Sequence, residues 1–178
     1  MRTFTKLLFC LTAVTAATAC GGDDDEQTTM GPGATLKCAS SGKNAFTTYG
    51  TEAFVAVNKA IFAEATAELT ANGSTNLGDS FSRVTDFATF EGRLAAFLVF
   101  AYGGPTSITY TDGKTYEGVQ DMRAAHAGMA ITSAQYDYFV ANVIVPALTK
   151  SGVPMGDVSS CFAPLVVDPA VKASMVGQ

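Results

Sequence analysis

The stretch Asp121-Met122-Arg123-Ala124-Ala125-His126-Ala127-Gly128-Met129-Ala130-Ile131-Thr132 decides how this chain is read. It carries the only histidine among 178 residues. Imidazole is the most frequent protein ligand for iron and zinc, and the side chain that titrates most readily near neutral pH. Met122 precedes His126 by four residues and Met129 follows it by three, so helical geometry puts all three on one face. Ala124, Ala125, Ala127 and Gly128 are small, which leaves room for a flat, bulky group to approach the ring. A lone histidine is ordinarily a satisfied structural residue, so the flanking segments must decide what this one does.

Working outward, the composition narrows the choice. Sixteen acidic against eleven basic residues give a net charge of −5, which excludes the clustered Lys and Arg that nucleic acid requires. Hydrophobic residues make up 48% of the chain and charged ones 15%, enough for one buried core and a tail. Twelve phenylalanines and no tryptophan suit a large apolar ligand, although ordinary cores use Phe as well.

The N-terminus has the form of an export signal over residues 1–19. Arg2 and Lys6 form a basic start, and Leu7 to Ala19 is apolar but too short to span a bilayer. Ala17-Thr18-Ala19-Cys20 resembles a bacterial lipobox in which Cys20 takes the lipid, with Ala17 where Leu is usual. An ordinary signal peptide cleaved nearby is the alternative. Residues 20–36, with Gly21-Gly22-Asp23-Asp24-Asp25-Glu26, are too polar to pack and predict a tether. The globular domain is expected over residues 37–178, in a periplasmic or outer-membrane lipoprotein held to the membrane by its lipid. Cys38 and Cys161 then remain as a pair in an oxidising compartment, and a disulfide between them is favoured over two free thiols.

Within the domain the pattern is helical. Phe54, Val55, Val57, Ile61, Phe62, Ala65 and Leu69 recur at three- and four-residue steps from Thr51 until Asn72-Gly73-Ser74. Phe81 lies in the following loop. Asp86 is placed to cap a second helix bearing Phe87, Phe90, Leu94, Phe97 and Leu98, which Gly103-Gly104-Pro105 ends. Residues 107–120 read as a loop around Asp112-Gly113 rather than a hairpin. Thr132 or Ser133 caps a long helix with Tyr136, Phe139, Val140, Val143, Ile144, Ala147 and Leu148, in which Pro146 predicts a kink. A last helix runs from about Asp157 to Val166, with Asp168-Pro169 after it. The fold class is all-α.

The order of these pieces resembles a group I truncated haemoglobin from about Ala45 to Val167. The resemblance rests on Tyr102-Gly103-Gly104-Pro105, Tyr116-Glu117-Gly118, the Met122–Met129 element around His126, and Gly152-Val153-Pro154. It implies a truncated globin fold, a two-over-two helical sandwich around haem b. By it, His126 matches the proximal iron ligand, its other ring nitrogen bonded to a backbone carbonyl one turn earlier. Arg123 matches a residue that pairs with a haem propionate, or is simply a solvated surface charge. Phe81, Phe97 and Leu98 match haem-packing positions, and Met129 and Phe139 complete the apolar lining. The chain departs from the family at the first helix, where Tyr49-Gly50-Thr51 replaces a Gly-Gly junction, and in a longer segment before His126.

The family usually stabilises bound oxygen with tyrosine and glutamine. Here Phe62, Phe90 and Leu94 occupy the matching positions. An apolar wall without a donor implies fast oxygen release, with Thr85 and Thr89 as the remaining weak donors. The leading expectation is reversible binding of oxygen or another diatomic gas at the cell envelope. The alternatives are nitric-oxide dioxygenation, which needs an electron donor, gas sensing, and a non-haem structural lipoprotein of globin shape. No catalytic residue is assigned. One histidine and a bridged cysteine pair cannot build a structural zinc site.

Overall fold

The computed structural model describes residues 30–178. The expected export signal, Cys20 and the start of the expected tether lie outside the described residues. The described chain is mostly helical, and no helix among the described residues is long and apolar enough to cross a membrane.

The chain packs earlier than its polar composition predicts. Residues 31–36, expected to belong to the tether, turn against the second helix: Gly31, Gly33 and Ala34 are buried and Gly33 N–H donates to Ala101 O at 2.7 Å. Small residues permit that approach, which a composition-based reading takes for disorder. Helix α1 (Ala45–Asn72) begins before Thr51, with Asn44 accepting from Thr47 N–H as its cap. Gly50 breaks it with φ 73° and ψ 172°, a left-handed backbone that glycine adopts without steric cost. A short first helix therefore survives with a single glycine at the junction. Phe54, Val57, Asn58, Ile61 and Ala65 form its buried face.

Turns at Gly73–Thr75 and Phe81–Arg83 lead to α2 (Phe87–Ala101), capped as expected by Asp86 accepting from Thr89 N–H at 3.1 Å. The segment read as a loop is instead a hairpin. Strands β1 (Ser107–Thr109) and β2 (Thr115–Glu117) pair antiparallel with Ile108 opposite Tyr116. Its inner ring, Tyr116, packs on Gly92, where any Cβ would meet the ring at 2.3 Å. That long-range contact stabilises a strand pair too short to stand alone.

A five-residue helix, α3 (Met122–His126), carries the histidine. Then α4 (Ser133–Phe139), capped by a reciprocal Thr132–Gln135 box, runs through a π-turn at Val140–Ile144 into α5 (Val145–Lys150). The pattern repeats in α6 (Met155–Asp157), a π-turn at Val158–Phe162 and α7 (Ala163–Val166). Each π-turn closes one residue before a proline: Val145 N–H reaches Val140 O before Pro146, and Ala163 N–H reaches Val158 O before Pro164. Widening the turn absorbs the missing donor and the ring's clash with the preceding turn. The expected kink is thus realised as a change of winding. Asp168-Pro169 does not end the structure; it starts α8 (Pro169–Met175), with Asp168 accepting from Ala170 and Val171 N–H.

The core gathers Phe54, Tyr102 and Phe162, whose ring centroids lie 5.1–6.0 Å apart. Cys38 and Cys161 are bonded beside it, 123 residues apart in sequence.

Candidate functional site

The buried face of α2 is made mostly of small residues. It comprises Gly92, Ala95, Ala96, Val99, Phe100 and Ala101, whereas Phe90, Leu94, Phe97 and Leu98 are half-buried and Phe87 is 55% exposed. Apolar surface of that size is ordinarily turned inward, at about 25 cal/mol per Å². Small residues point in because α1 crosses α2 closely there: the fully buried Asn58 donates to Glu91 O at 3.0 Å. Phe62, one turn further along α1, meets Phe90 edge to face at 5.3 Å. Phe81 meets Phe139 of α4 at 5.6 Å. The large side chains of this side therefore form a half-buried apolar wall, to which α2 contributes most.

His126 stands at the C-terminal end of α3, whose first turn is held by Asp121 accepting from Ala124 N–H at 3.0 Å. Its ring is half-buried, and Nδ1 lies 2.7 Å from Met122 O. A carbonyl can only accept, so Nδ1 carries the proton and Nε2 is left with its lone pair. Among the described residues Nε2 has no hydrogen-bond partner. Met129, also half-buried, is joined to the same turn by its N–H to His126 O at 3.1 Å. Arg123 is exposed and reaches only Gln178 Oε1, at 3.4 Å.

The structure thus pairs Phe62 with Phe90 and Phe81 with Phe139, and packs Phe97 and Leu98 against the core. The bridge from wall to histidine is Arg83, in the same turn as Phe81. Its Nη1 donates to Gly128 O at 2.6 Å, two residues beyond His126. Sequence reading missed Arg83, because nothing local marks a contact spanning 45 residues. It also missed the polar pair behind the wall. Tyr110, beside Asn58, Thr111 and Glu91, is 5% exposed, and among the described residues neither its hydroxyl nor Asn58 Oδ1 meets a partner in full hydrogen-bond geometry. Burial first, and then the charge of Glu91, push the Tyr110 phenol up.

Among the described residues no three His, Cys, Asp or Glu side chains come together as a metal site. A bare ion has no set of protein ligands there; a porphyrin-bound iron needs only one imidazole. His126 Nε2 is the donor in this region that a porphyrin iron would use; Arg123 lies in the same short helix, and Arg83 bonds to Gly128 O. The hollow of about 260 Å³ between Tyr136, Val140, Val166 and Lys172 is elsewhere. Comparison with known protein families and with curated proteins found no match to this chain.

Proposed function

We propose that the chain is a haem-binding globin of the group I truncated haemoglobin type, a two-over-two helical sandwich that reversibly binds oxygen or another diatomic gas. The observation that carries the reading is the lone imidazole of His126, its Nδ1 held 2.7 Å from Met122 O, in a chain whose second helix leaves Phe90, Leu94, Phe97 and Leu98 only half-buried. On this reading a flat apolar ligand would cover Phe90 and Leu94, and His126, with Nδ1 bonded to Met122 O, would supply its axial ligand. When bound, haem supplies an iron at which a small gas coordinates. The protein's part is to hold the iron through His126, to exclude water with Phe62, Phe81, Met129 and Phe139, and to pair a propionate with Arg123. Phe62, Phe90 and Leu94 offer a gas no hydrogen bond, so release is fast. That disfavours nitric-oxide dioxygenation, which depends on a long-lived oxygen complex and an electron donor, and makes peroxide cleavage weaker still. Export and a lipid on Cys20 belong to the same proposal, placing the protein in the periplasm or on the outer membrane.

A second reading, a non-haem structural lipoprotein, is favoured by the way the wall closes on itself. Phe62 already packs on Phe90 and Phe81 on Phe139. An absorption spectrum after hemin addition separates the two. The haem reading expects a Soret band that shifts on reduction under carbon monoxide and is lost in His126→Ala, with the thermal midpoint held. A colourless product in the presence of hemin ends it.

A further inference from the structure

His126 rides on a segment that is tied to the rest of the molecule at very few points. From Val119 to Ile131 the hydrogen bonds are mostly local: Asp121 caps α3, Ala127 N–H returns to Ala124 O, and Met129 N–H to His126 O. Among the described residues, the bonds that leave this segment for distant parts of the chain end on three residues. Arg83 Nη1 donates to Gly128 O at 2.6 Å. Gln178 O accepts from Ala130 N–H at 2.9 Å, and its side chain accepts from Arg123 at 3.4 Å. Gly177 N–H donates to Ile131 O at 2.9 Å.

The braces are themselves anchored. Arg83 belongs to the Phe81 turn, whose ring rests on Phe139. Residues 176–178 follow α8, which Lys172 fastens to α4 through Asp137 and the Tyr136 ring. Gln178 Nε2 folds the tail back by donating to Ala173 O and Val176 O at 3.0 and 3.1 Å. Between the braces Ala130 is held at φ 53°, the only non-glycine residue at positive φ among the described residues. An unbraced loop would relax such a residue.

We infer that Arg83 and the Gly177–Gln178 segment are positioning residues for His126, clamping its loop between the Phe81 turn and α8 so that the imidazole is presented to its metal at a set place. The inference rests on the haem reading above. Partners that orient a ligating histidine typically change metal affinity by ten- to a hundredfold when removed.

Arg83→Ala, Arg83→Lys and Gln178→Ala test it in the full chain. Because His126 is the only histidine, its ring protons give one set of NMR signals in the cofactor-free protein. Arg83→Ala is expected to move or broaden those signals and to speed hemin transfer to an apomyoglobin acceptor by about tenfold. Gln178→Ala, which loses the Arg123 contact and the bonds that fold the tail back but keeps the backbone bond to Ala130, is expected to move the signals less. The thermal midpoint should stay within about 2 °C, as for exposed substitutions. Arg83→Lys, which keeps one donor of similar reach, should restore most of both readouts. Ring signals and transfer rates that match the wild type in both Ala variants overturn the inference. Failure of the wild type to take up hemin would instead sink the haem reading. The ring signals then decide the positioning alone, a shift supporting it and no change ending it.

Discussion

Phe54 and Phe162 on one side of the molecule, and Phe62 and Phe81 on the other, are the same residue in similar helical patterns, yet they are treated differently. Phe54 and Phe162 are 2% and 4% exposed and share a cluster with Tyr102, whose hydroxyl donates to Phe162 O. Phe62 and Phe81 are half-buried, each packed on a single other phenylalanine. The first side is closed by covalent and charged cross-links. Cys38 is bonded to Cys161, and the buried Asp157 accepts from Ser40 N–H, Ser40 Oγ and the Tyr49 hydroxyl. On the second, the Phe81 turn is tied to the histidine segment through Arg83 and Gly128 O. One region is fully buried and cross-linked; the other leaves its large apolar side chains half-buried.

If that division is real, the two sides respond separately to mutation. Replacing Cys38 and Cys161 together by Ser is expected to cost about 4 kcal/mol of unfolding free energy, from the entropy of a long closed loop. Chemical denaturation measures it. Hemin uptake below the new midpoint should persist, and its loss would show that the two regions are coupled.

Asp157→Asn is the next largest, about 2 kcal/mol, since it removes a charge that accepts several hydrogen bonds. Its pH dependence carries the sign. Bonds from Ser40, first, and Tyr49 hold the Asp157 carboxyl below the usual range. Its contribution is therefore complete above the ordinary carboxylate pKa and disappears as pH falls through the lowered folded value. On the alkaline side burial, then Asp157, push Tyr49 up to about 12. That contribution is whole below the ordinary phenol value of about 10 and is lost as pH rises through the folded one. Stability curves of the variant should be flatter at both ends; unchanged curves would move the network out of the stabilising side.

Phe62→Tyr sharpens the contrast from the other side. On the haem proposal, a phenol donor at position 62 should slow oxygen release by about tenfold or more, as one added hydrogen bond allows. Flash photolysis reads the rate. An unchanged rate would place Phe62 away from the gas. The smallest effect belongs to Tyr110→Phe, which deletes a buried hydroxyl that meets no partner in full hydrogen-bond geometry among the described residues and should stabilise by up to about 1 kcal/mol. A loss of stability would mean that the Tyr110 hydroxyl has a partner in solution.

Much of this arrangement was legible from local pattern. Asp86 as a cap and a helix from Thr132 onward follow from spacing and capping chemistry. The hairpin was not, because three-residue strands depend on Tyr116 meeting Gly92, a contact between elements. Nor was α8, since a proline after an aspartate reads equally as a stop or as the first turn of a new helix. Residues 31–36 look like linker by composition and pack only because the end of α2 offers Ala101 O. In the candidate site, the singular histidine and its helical spacing to Met122 were visible at once. The wall was visible only as apolar residues, without the knowledge that α2 turns its small side inward.

The sequence by itself determined the helical periodicities, the caps, the pairing available to Cys38 and Cys161, and the uniqueness of His126, all properties of residues near one another or of simple inventory. Only the tertiary structure decided which face of α2 is buried, how each proline is absorbed, and that Arg83 and Gly177–Gln178 hold the histidine loop. Those outcomes depend on close approach between distant segments, where a glycine, a backbone carbonyl or one guanidinium selects among packings that the local pattern leaves equal.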